Sequence, residues 1–489
     1  MIMNRRKIEG WAILALVVVT LVASCKVGQR YVQPDLHVPN AFRGDTVHAA
    51  TDTVHTGRVH WNTFFKDPTL KNLIDSALVH NNDLKVALIN LEIANRQLRQ
   101  NRANYLPSVD ATVAGANRQW RSSEFSSGPS SKWYDKMQKD APQNMFMSVS
   151  QFGSEVSFSW ELDIWGKISN RNDQLLAEYL DTFEAKNAVQ TSIIANVAKG
   201  YFNLLMLDAK IEVAKRNVRL NDSTLRMIEL QYEAGEITAL AIQQTESQRL
   251  LAASLIPQLE KEIFVQENAL RILAGQMPDS IPRDDSASQV FAEDMTFTLA
   301  SPVEVIRNRP DVRSAELQLV AANANANVEQ AMRYPTLSIG GSLGVNAMLP
   351  KNWFNIPGAL LGGIAGDITT PIFRNKTLKL RYETARLERD KVEIGLQQTV
   401  VEAINEVSNA VVTVEKQREE LEYARRRVEN SQLAVRNATL LFKGGYASYL
   451  EVITAQSNAL SSDLDLAELR QQHLQSHVDL YRALGGGWR

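Results

Sequence analysis

The apolar positions of this chain fall into two periods. Over VSFSWELDI (156–164), Val156, Phe158, Trp160, Leu162 and Ile164 alternate with Ser157, Ser159, Glu161 and Asp163. A period of two gives a strand one apolar face and one polar face. Leu337, Ile339, Leu343 and Val345 show a weaker version with glycines between them, and SVDATVAGA (108–116) is weaker again. Elsewhere the spacing is three and four, as in Leu84, Ala87, Leu88 and Leu91, which is the period of a helix. Helical patterns run over 67–104 and 302–333, and the steps Tyr105-Leu106-Pro107 and Tyr334-Pro335 stop them. After each pair of alternating segments comes a very long helical pattern, a glycine-centred turn and a returning helix. Within 379–441 an apolar stripe runs through Val400, Ile404, Val407, Val411 and Val414. Pro257 interrupts the first returning helix and predicts a break there.

These elements occur twice. NDLKVALINLEIANRQLRQNRANYLPSV (82–109) lines up with PDVRSAELQLVAANANANVEQAMRYPTL (310–337), LDIWGK (162–167) with TPIFRN (370–375), and LQYEAGEITALAIQQTES (230–247) with LLFKGGYASYLEVITAQS (440–457). Landmarks recurring in order at near-constant spacing mark a duplication, which dictates architecture before any motif does. The expected organisation is a first repeat over 61–275 with a β-hairpin at 108–165, and a second over 302–489 with a hairpin at 336–373. A connector at 276–301 includes MPDSIPRDDSAS (277–288).

Two hairpins supply four strands, too few to close a barrel. An open sheet edge cannot sit in lipid, where its N–H and C=O groups find no partner. Three chains supply twelve strands and a pore; two supply eight, which side chains fill. A helix of about 70 residues at a rise of ~1.5 Å each spans ~100 Å, far more than a bilayer core of ~30 Å. The long helices therefore belong in water. The expected fold is mainly α with a transmembrane β-barrel: a long helical barrel plus four strands per chain, and a twelve-stranded barrel completed by a trimer. Trp120, Trp133, Tyr134, Phe146, Trp353 and Phe354 suit aromatic girdles near its loops.

Composition narrows the setting. A hydrophobic share of 44% and a charged share of 22% fit a folded chain, and a net charge of −2 leaves no basic footprint for nucleic acid. Residues 1–24 read as a signal peptide: Arg5, Arg6 and Lys7, then an apolar run from Trp11 to Val22, too short for a comfortable membrane-spanning helix. LVASC (21–25) ends on Cys25, the single cysteine, so no disulfide forms within one subunit. A cysteine directly after such a run is a lipidation signal. An acyl group on Cys25 would begin an anchored N-terminal arm over 25–60.

Together these landmarks resemble the TolC-like outer-membrane efflux proteins, in particular the OprM-like lipoprotein branch. The resemblance is carried by CKVGQRYVQPDLHVPNAF (25–42), WNTFFKDPTLKNLIDSALVHNNDL (61–84), SWELDIWGK (159–167), RPDVRSAE (309–316), TPIF (370–373) and LYRALGGGW (480–488). It implies a homotrimer in the outer membrane, with a periplasmic helical tunnel. It also implies a periplasmic adaptor and an inner-membrane pump as partners, the pump of the resistance-nodulation-division type. The family closes its tunnel at the periplasmic tip, so the resemblance places tips at Gly235 and Gly445, where an adaptor would contact them. It places a gate at Glu451 and Thr454, with Phe442, Tyr446 and Tyr449 helping to seal it; an acidic residue is more usual at the Thr454 position.

The implied function is passive export of small molecules such as drugs through the exit duct of a tripartite pump, without catalysis and without a cofactor other than the covalent lipid. The alternatives are the same duct in a type I protein secretion system, or a lipid-anchored periplasmic scaffold. GGSLG (340–344) matches the G-x-S-x-G elbow, but Ser342 lies within an alternating strand rather than a strand–turn–helix. GGG (485–487) lacks the Lys-Ser/Thr of a phosphate loop. His473 and His477 sit four apart on a helix with no obvious completing ligand, so a polar helix face is the plainer reading and no metal is expected.

Overall fold

The computed structural model describes residues 26–36, 38–43, 56–122, 146–283 and 301–488. The expected signal peptide, Cys25, Trp133, Tyr134 and most of the 276–301 connector lie outside the described residues.

The helices are α1 (Trp61–Phe64), α2 (Pro68–His80), α3 (Asn82–Ala103), α4 (Lys167–Glu233), α5 (Ala239–Leu273), α6 (Pro302–Asn308), α7 (Pro310–Ala331), α8 (Thr377–Lys443) and α9 (Tyr449–Ala483). The strands are β1 (Ser108–Ser122), β2 (Phe146–Leu162), β3 (Thr336–Ala347) and β4 (Leu360–Thr369). The duplication is metrical in its helices: α3 and α7 have 22 residues each, α4 and α8 have 67, and α5 and α9 have 35. The chain divides into two compact units. Of the described residues, one holds those within 26–32, 95–177 and 320–391; the other holds those within 33–94, 178–319 and 392–488.

The leading helical pattern of each repeat is broken once, which periodicity alone did not show. In the first repeat Asn81 separates α2 from α3. Its side-chain oxygen accepts from the Asp83 and Leu84 amides, capping α3. In the second repeat Arg309 separates α6 from α7, and Pro310 opens α7. The break expected at Pro257 does not occur, because α5 runs through it. Pro257 is exposed, so the carbonyl it leaves unbonded can turn to water, while Ala252 and Leu259 on either side are buried.

The second unit has a core of Trp61, Phe65, Leu70, Ile74, Ile194, Tyr201, Phe202, Leu205, Leu474 and Tyr481, among others. Phe64 stacks on Tyr481 with ring centroids 4.2 Å apart. Both returning helices end in the same way. Gly275 and Gly485 take positive φ; the Gly275 and Gln276 amides donate to the Ile272 and Arg271 carbonyls, and the Gly485 and Gly486 amides to those of Arg482 and Tyr481. Each end is then fixed by the residue that breaks its repeat's leading helix. The Asn81 amide donates to the Leu273 carbonyl at 2.9 Å, and the Arg309 guanidinium donates to the Ala483 carbonyl at 2.8 Å.

Candidate functional site: a two-faced sheet and two helix tips

The first unit contains one antiparallel sheet in the order β1-β2-β3-β4. Its register sorts the side chains. Val109, Phe158, Gly341 and Ile364 share one row; Trp160 and Ile339 share another; Leu162, Leu337 and Ile368 share a third. All lie on one face, since alternate residues of a strand point the same way. Val109, Val156, Leu343, Ile364 and Ile368 of this face are exposed. The opposite face carries Asp110, Glu155, Ser157, Ser159, Glu161, Ser338, Ser342 and Asp367. The glycines of β3 let a large side chain lie flat: a Cβ on Gly341 would come within 2.7 Å of the Phe158 ring. Ser342 pairs with Ser157 and Gly363 inside β3, so it has no nucleophile-elbow context.

A continuous apolar face beside an acidic, hydroxylated one is the pattern of a sheet between lipid and a water-filled lumen. Among the described residues, β1 and β4 each pair on one side only. Lipid cannot hydrogen-bond their free edges, so strands from further copies close the sheet. Three copies supply twelve strands. At the loop between β3 and β4, Trp353 stacks on Phe354 at 5.4 Å and lies 5.9 Å from Phe152, an aromatic group suited to the membrane boundary.

The arm following Cys25 is tied to the base of this sheet. Lys26 pairs with Asp173 at 2.8 Å, and the Val27 amide donates to the Trp165 carbonyl at 3.1 Å. Asn323 and Asn327 donate to the Gln29 carbonyl. Trp165 and Tyr334 stack at 5.0 Å where β2 ends and β3 begins. Asp163 accepts from the Ile168 and Ser169 amides and so caps α4, while Lys167 grips both Glu161 oxygens.

The second unit contains the two turns that join α4 to α5 and α8 to α9. Gly235 and Gly445 have φ of +78° and +74°, a region that costs a side-chain-bearing residue energy. Each closes a Schellman turn: Gly235 and Glu236 amides donate to Tyr232 and Gln231, and Gly445 and Tyr446 amides to Phe442 and Leu441. A Cβ at either glycine would meet nothing within 4 Å, so the requirement is for the backbone angle alone.

The structure distributes the expected gate residues unevenly. Phe442 is only 5% exposed and packs with Ile228, Ala241 and Val452, so it lies inside the tip rather than on its surface. Tyr449 packs partly against that cluster, and its hydroxyl donates to Gln244 at 2.8 Å. Tyr446 is 85% exposed. Glu451 and Thr454 line a groove of about 800 Å³ with Tyr423, Arg426, Arg427 and Asn458. Glu451 also has a local task that was not read from its sequence. Its carboxylate accepts from the Ser448 amide and, at 2.8 Å, from the Ser448 hydroxyl. That is a capping box, and the spacing Ser448-x-x-Glu451 carried the signal.

A second site that sequence reasoning missed stands behind α7. Arg309 is nearly buried and bonds Asp311 and Glu406 at 2.6 Å each, while Arg482 bonds the other Glu406 oxygen. For Asp311 and Glu406, burial acts to raise the pKa, but the guanidiniums outweigh it and hold both carboxyls below their usual range. The motif RPD displays two of the partners; Glu406 is 97 residues away.

A sheet with lipid and lumen faces, two open edges, and long helix pairs ending in glycine turns defines an outer-membrane channel subunit whose barrel is shared between chains. The chain belongs to the outer membrane efflux protein family, whose sequence profile matches residues 73–276 and 302–486. It is 30% identical over 426 residues to the toluene efflux pump outer membrane protein TtgI of Pseudomonas putida, covering 87% of each chain. It is 25% identical over 480 residues to the cation efflux system protein CusC of Escherichia coli, covering 98% of this chain and 99% of that one. Among solved structures, the outer-membrane channel OprN superposes with a TM-score of 0.82 at 24% identity, over 95% of this chain and all of the other. The open state of MtrE from Neisseria gonorrhoeae does so at 0.80, also at 24% identity.

Proposed function

We propose that three copies of this chain form the exit duct of a tripartite efflux pump, and that small toxic molecules leave the periplasm through it without being chemically changed. The two-faced sheet with open edges carries this reading, because only a shared barrel satisfies both its backbone and its apolar face. The expectation that cations, solvents or drugs are the cargo rests on relatives described as cation, toluene and antibiotic efflux proteins.

Cys25 is the proposed acylation site. The pairing of its neighbour Lys26 with Asp173, near the start of α4, supports an anchor at this end of the arm. The Gly235 and Gly445 turns are the proposed adaptor contacts, with a resistance-nodulation-division pump behind the adaptor. Glu451 and Thr454 are the proposed gate, Tyr446 its exposed aromatic, and Phe442 and Tyr449 the packing that holds the tip in shape. Energy for transport comes from the inner-membrane partner.

Deleting the gene should sensitise cells to at least one toxic cation, solvent or drug, and the wild-type chain should restore resistance. A photo-crosslinking residue at Glu236 or Tyr446, next to the tip glycines, should trap a periplasmic adaptor. Unchanged sensitivity to all three classes, together with no adaptor adduct at either tip, would overturn the reading.

A further inference from the structure

The two links that lead from the sheet into a long helix are covered differently. In the first repeat, Trp165 stacks on Tyr334, its carbonyl accepts from the Val27 amide, and Gly166, Ile168 and Asn170 are buried. The cations there have carboxylate partners, Lys167 on Glu161 and Lys26 on Asp173. In the second repeat the matching residues after β4 lie open. Ile372 is 91% exposed and Phe373 80%. RNKTLKLR (374–381) follows, with cations at Arg374, Lys376, Lys379 and Arg381 and no anion among them. All four are exposed. Lys379 pairs with Glu383 at 3.6 Å.

We propose that Ile372, Phe373, Arg374, Lys376 and Arg381 form a binding site for the phosphodiester headgroups of anionic phospholipids, at the end of the sheet where α8 begins. The proposal rests on the reading of the sheet as part of a membrane-spanning barrel. Ile364 and Ile368 of β4 are exposed on the apolar face, and Ile372 follows Ile368 by four residues, which keeps the spacing of that face. Phe373 is an aromatic at the margin of the apolar band, where a bilayer's interfacial region accepts such rings. The cations come directly after it. Long basic side chains lay their stems on apolar surface and extend their charge to the phosphates.

The geometry keeps these groups outward. Ala385 is buried, and Tyr382 is half-buried with the Arg333 guanidinium 5.3 Å from its ring, so that side of α8 is occupied by the protein itself. Asn375 and Lys376 take φ of +48° and +63° in a turn closed by the Thr377 amide on the Arg374 carbonyl at 2.8 Å. The turn sets the first two cations beside the exposed apolar pair. A zwitterionic headgroup carries its own ammonium and gains little from them; a headgroup with net negative charge gains from each.

The test is native mass spectrometry of delipidated full-length protein in a non-ionic detergent, titrated with phosphatidylglycerol and, separately, phosphatidylethanolamine. The wild type should bind phosphatidylglycerol at least about tenfold more tightly, since each Lys or Arg near an anionic surface strengthens attraction about fivefold. The preference should shrink at high salt, where the screening length falls to ~3 Å. The triple variant Arg374→Gln, Lys376→Gln, Arg381→Gln should lose it. A charge-matched control far along α8, Arg425→Gln, Arg436→Gln, Lys443→Gln, should keep it. Unaltered oligomer mass and helical circular dichroism check that both variants fold. Equal binding of the two lipids by the wild type, or a preference that survives in the triple variant, would overturn the proposal. So would loss of the oligomer in the triple variant whatever the lipid, which would assign these cations to a neighbouring copy. A wild-type protein that stays dispersed without detergent and takes up neither lipid would overturn the membrane-spanning sheet and this site with it.

Discussion

The two repeats share helix lengths and differ in how each is fastened. At the end of the returning helix, the first repeat uses a neutral amide, Asn81, to hold the Leu273 carbonyl. The second uses Arg309 on the Ala483 carbonyl and adds Asp311, Glu406 and Arg482 around it. At the tips the difference inverts. Ala241 of the first repeat is fully buried among Ile228, Phe442 and Val452, whereas its counterpart Glu451 sits at the surface and caps α9. A duplicated backbone thus keeps its geometry through Schellman turns and helix lengths, while single side chains decide where charge is stored.

The largest break in that comparison is Ala241→Glu, which copies the second tip into the first. It places a carboxyl in a position with no exposed surface, and should cost about 3 kcal/mol through burial and overpacking. The check is a lowered thermal midpoint followed by the loss of helical circular dichroism. Next comes Arg309→Ala, which leaves Asp311 without a guanidinium and Glu406 with that of Arg482 alone. Breaking a buried pair costs ~3–5 kcal/mol, reduced to ~2–3 here because both carboxylates keep partial contact with water.

The same network gives the second repeat a pH dependence. The folded-state pKa values of Asp311 and Glu406 lie below their unfolded values. Their contribution is therefore complete above the unfolded pKa, near ~4 to 4.5, and is lost as pH falls through the folded values. The thermal midpoint should be insensitive to this pair between pH 6 and 8. Below about pH 4 it should fall more steeply in the wild type than in an Asp311→Asn, Glu406→Gln double variant.

Asn81→Ala in the first repeat should cost about 1–2 kcal/mol, the loss of a cap and one amide bond with no charge left behind. The smallest effect is Ser448→Ala, about 0.5–1 kcal/mol from the opened capping box. If Ser448→Ala changes conductance more than stability, Glu451 acts mainly on ions; if the reverse, mainly on the helix.

Much of this arrangement is readable in the sequence because its signals are local. The alternation from Val156 to Ile164 reports the two faces of β2, and the constant offset between Gly235 and Gly445 reports equal helix pairs. What escaped reading depends on distant partners or on competing local signals. The apolar period of three and four passes through Asn81 without interruption, so the break made by its side chain is hidden. Pro257 looks like a helix breaker until packing on both sides overrides it. The burial of Phe442 depends on Ile228 and Ala241, some two hundred residues earlier, and no local pattern reports that.

The central claim is that each chain's sheet is completed by two others. Native mass measurement of the detergent-extracted full-length protein tests it most directly. The predicted result is a particle of three chains that persists when Cys25 is replaced by serine. A particle of one, two or four chains would contradict it.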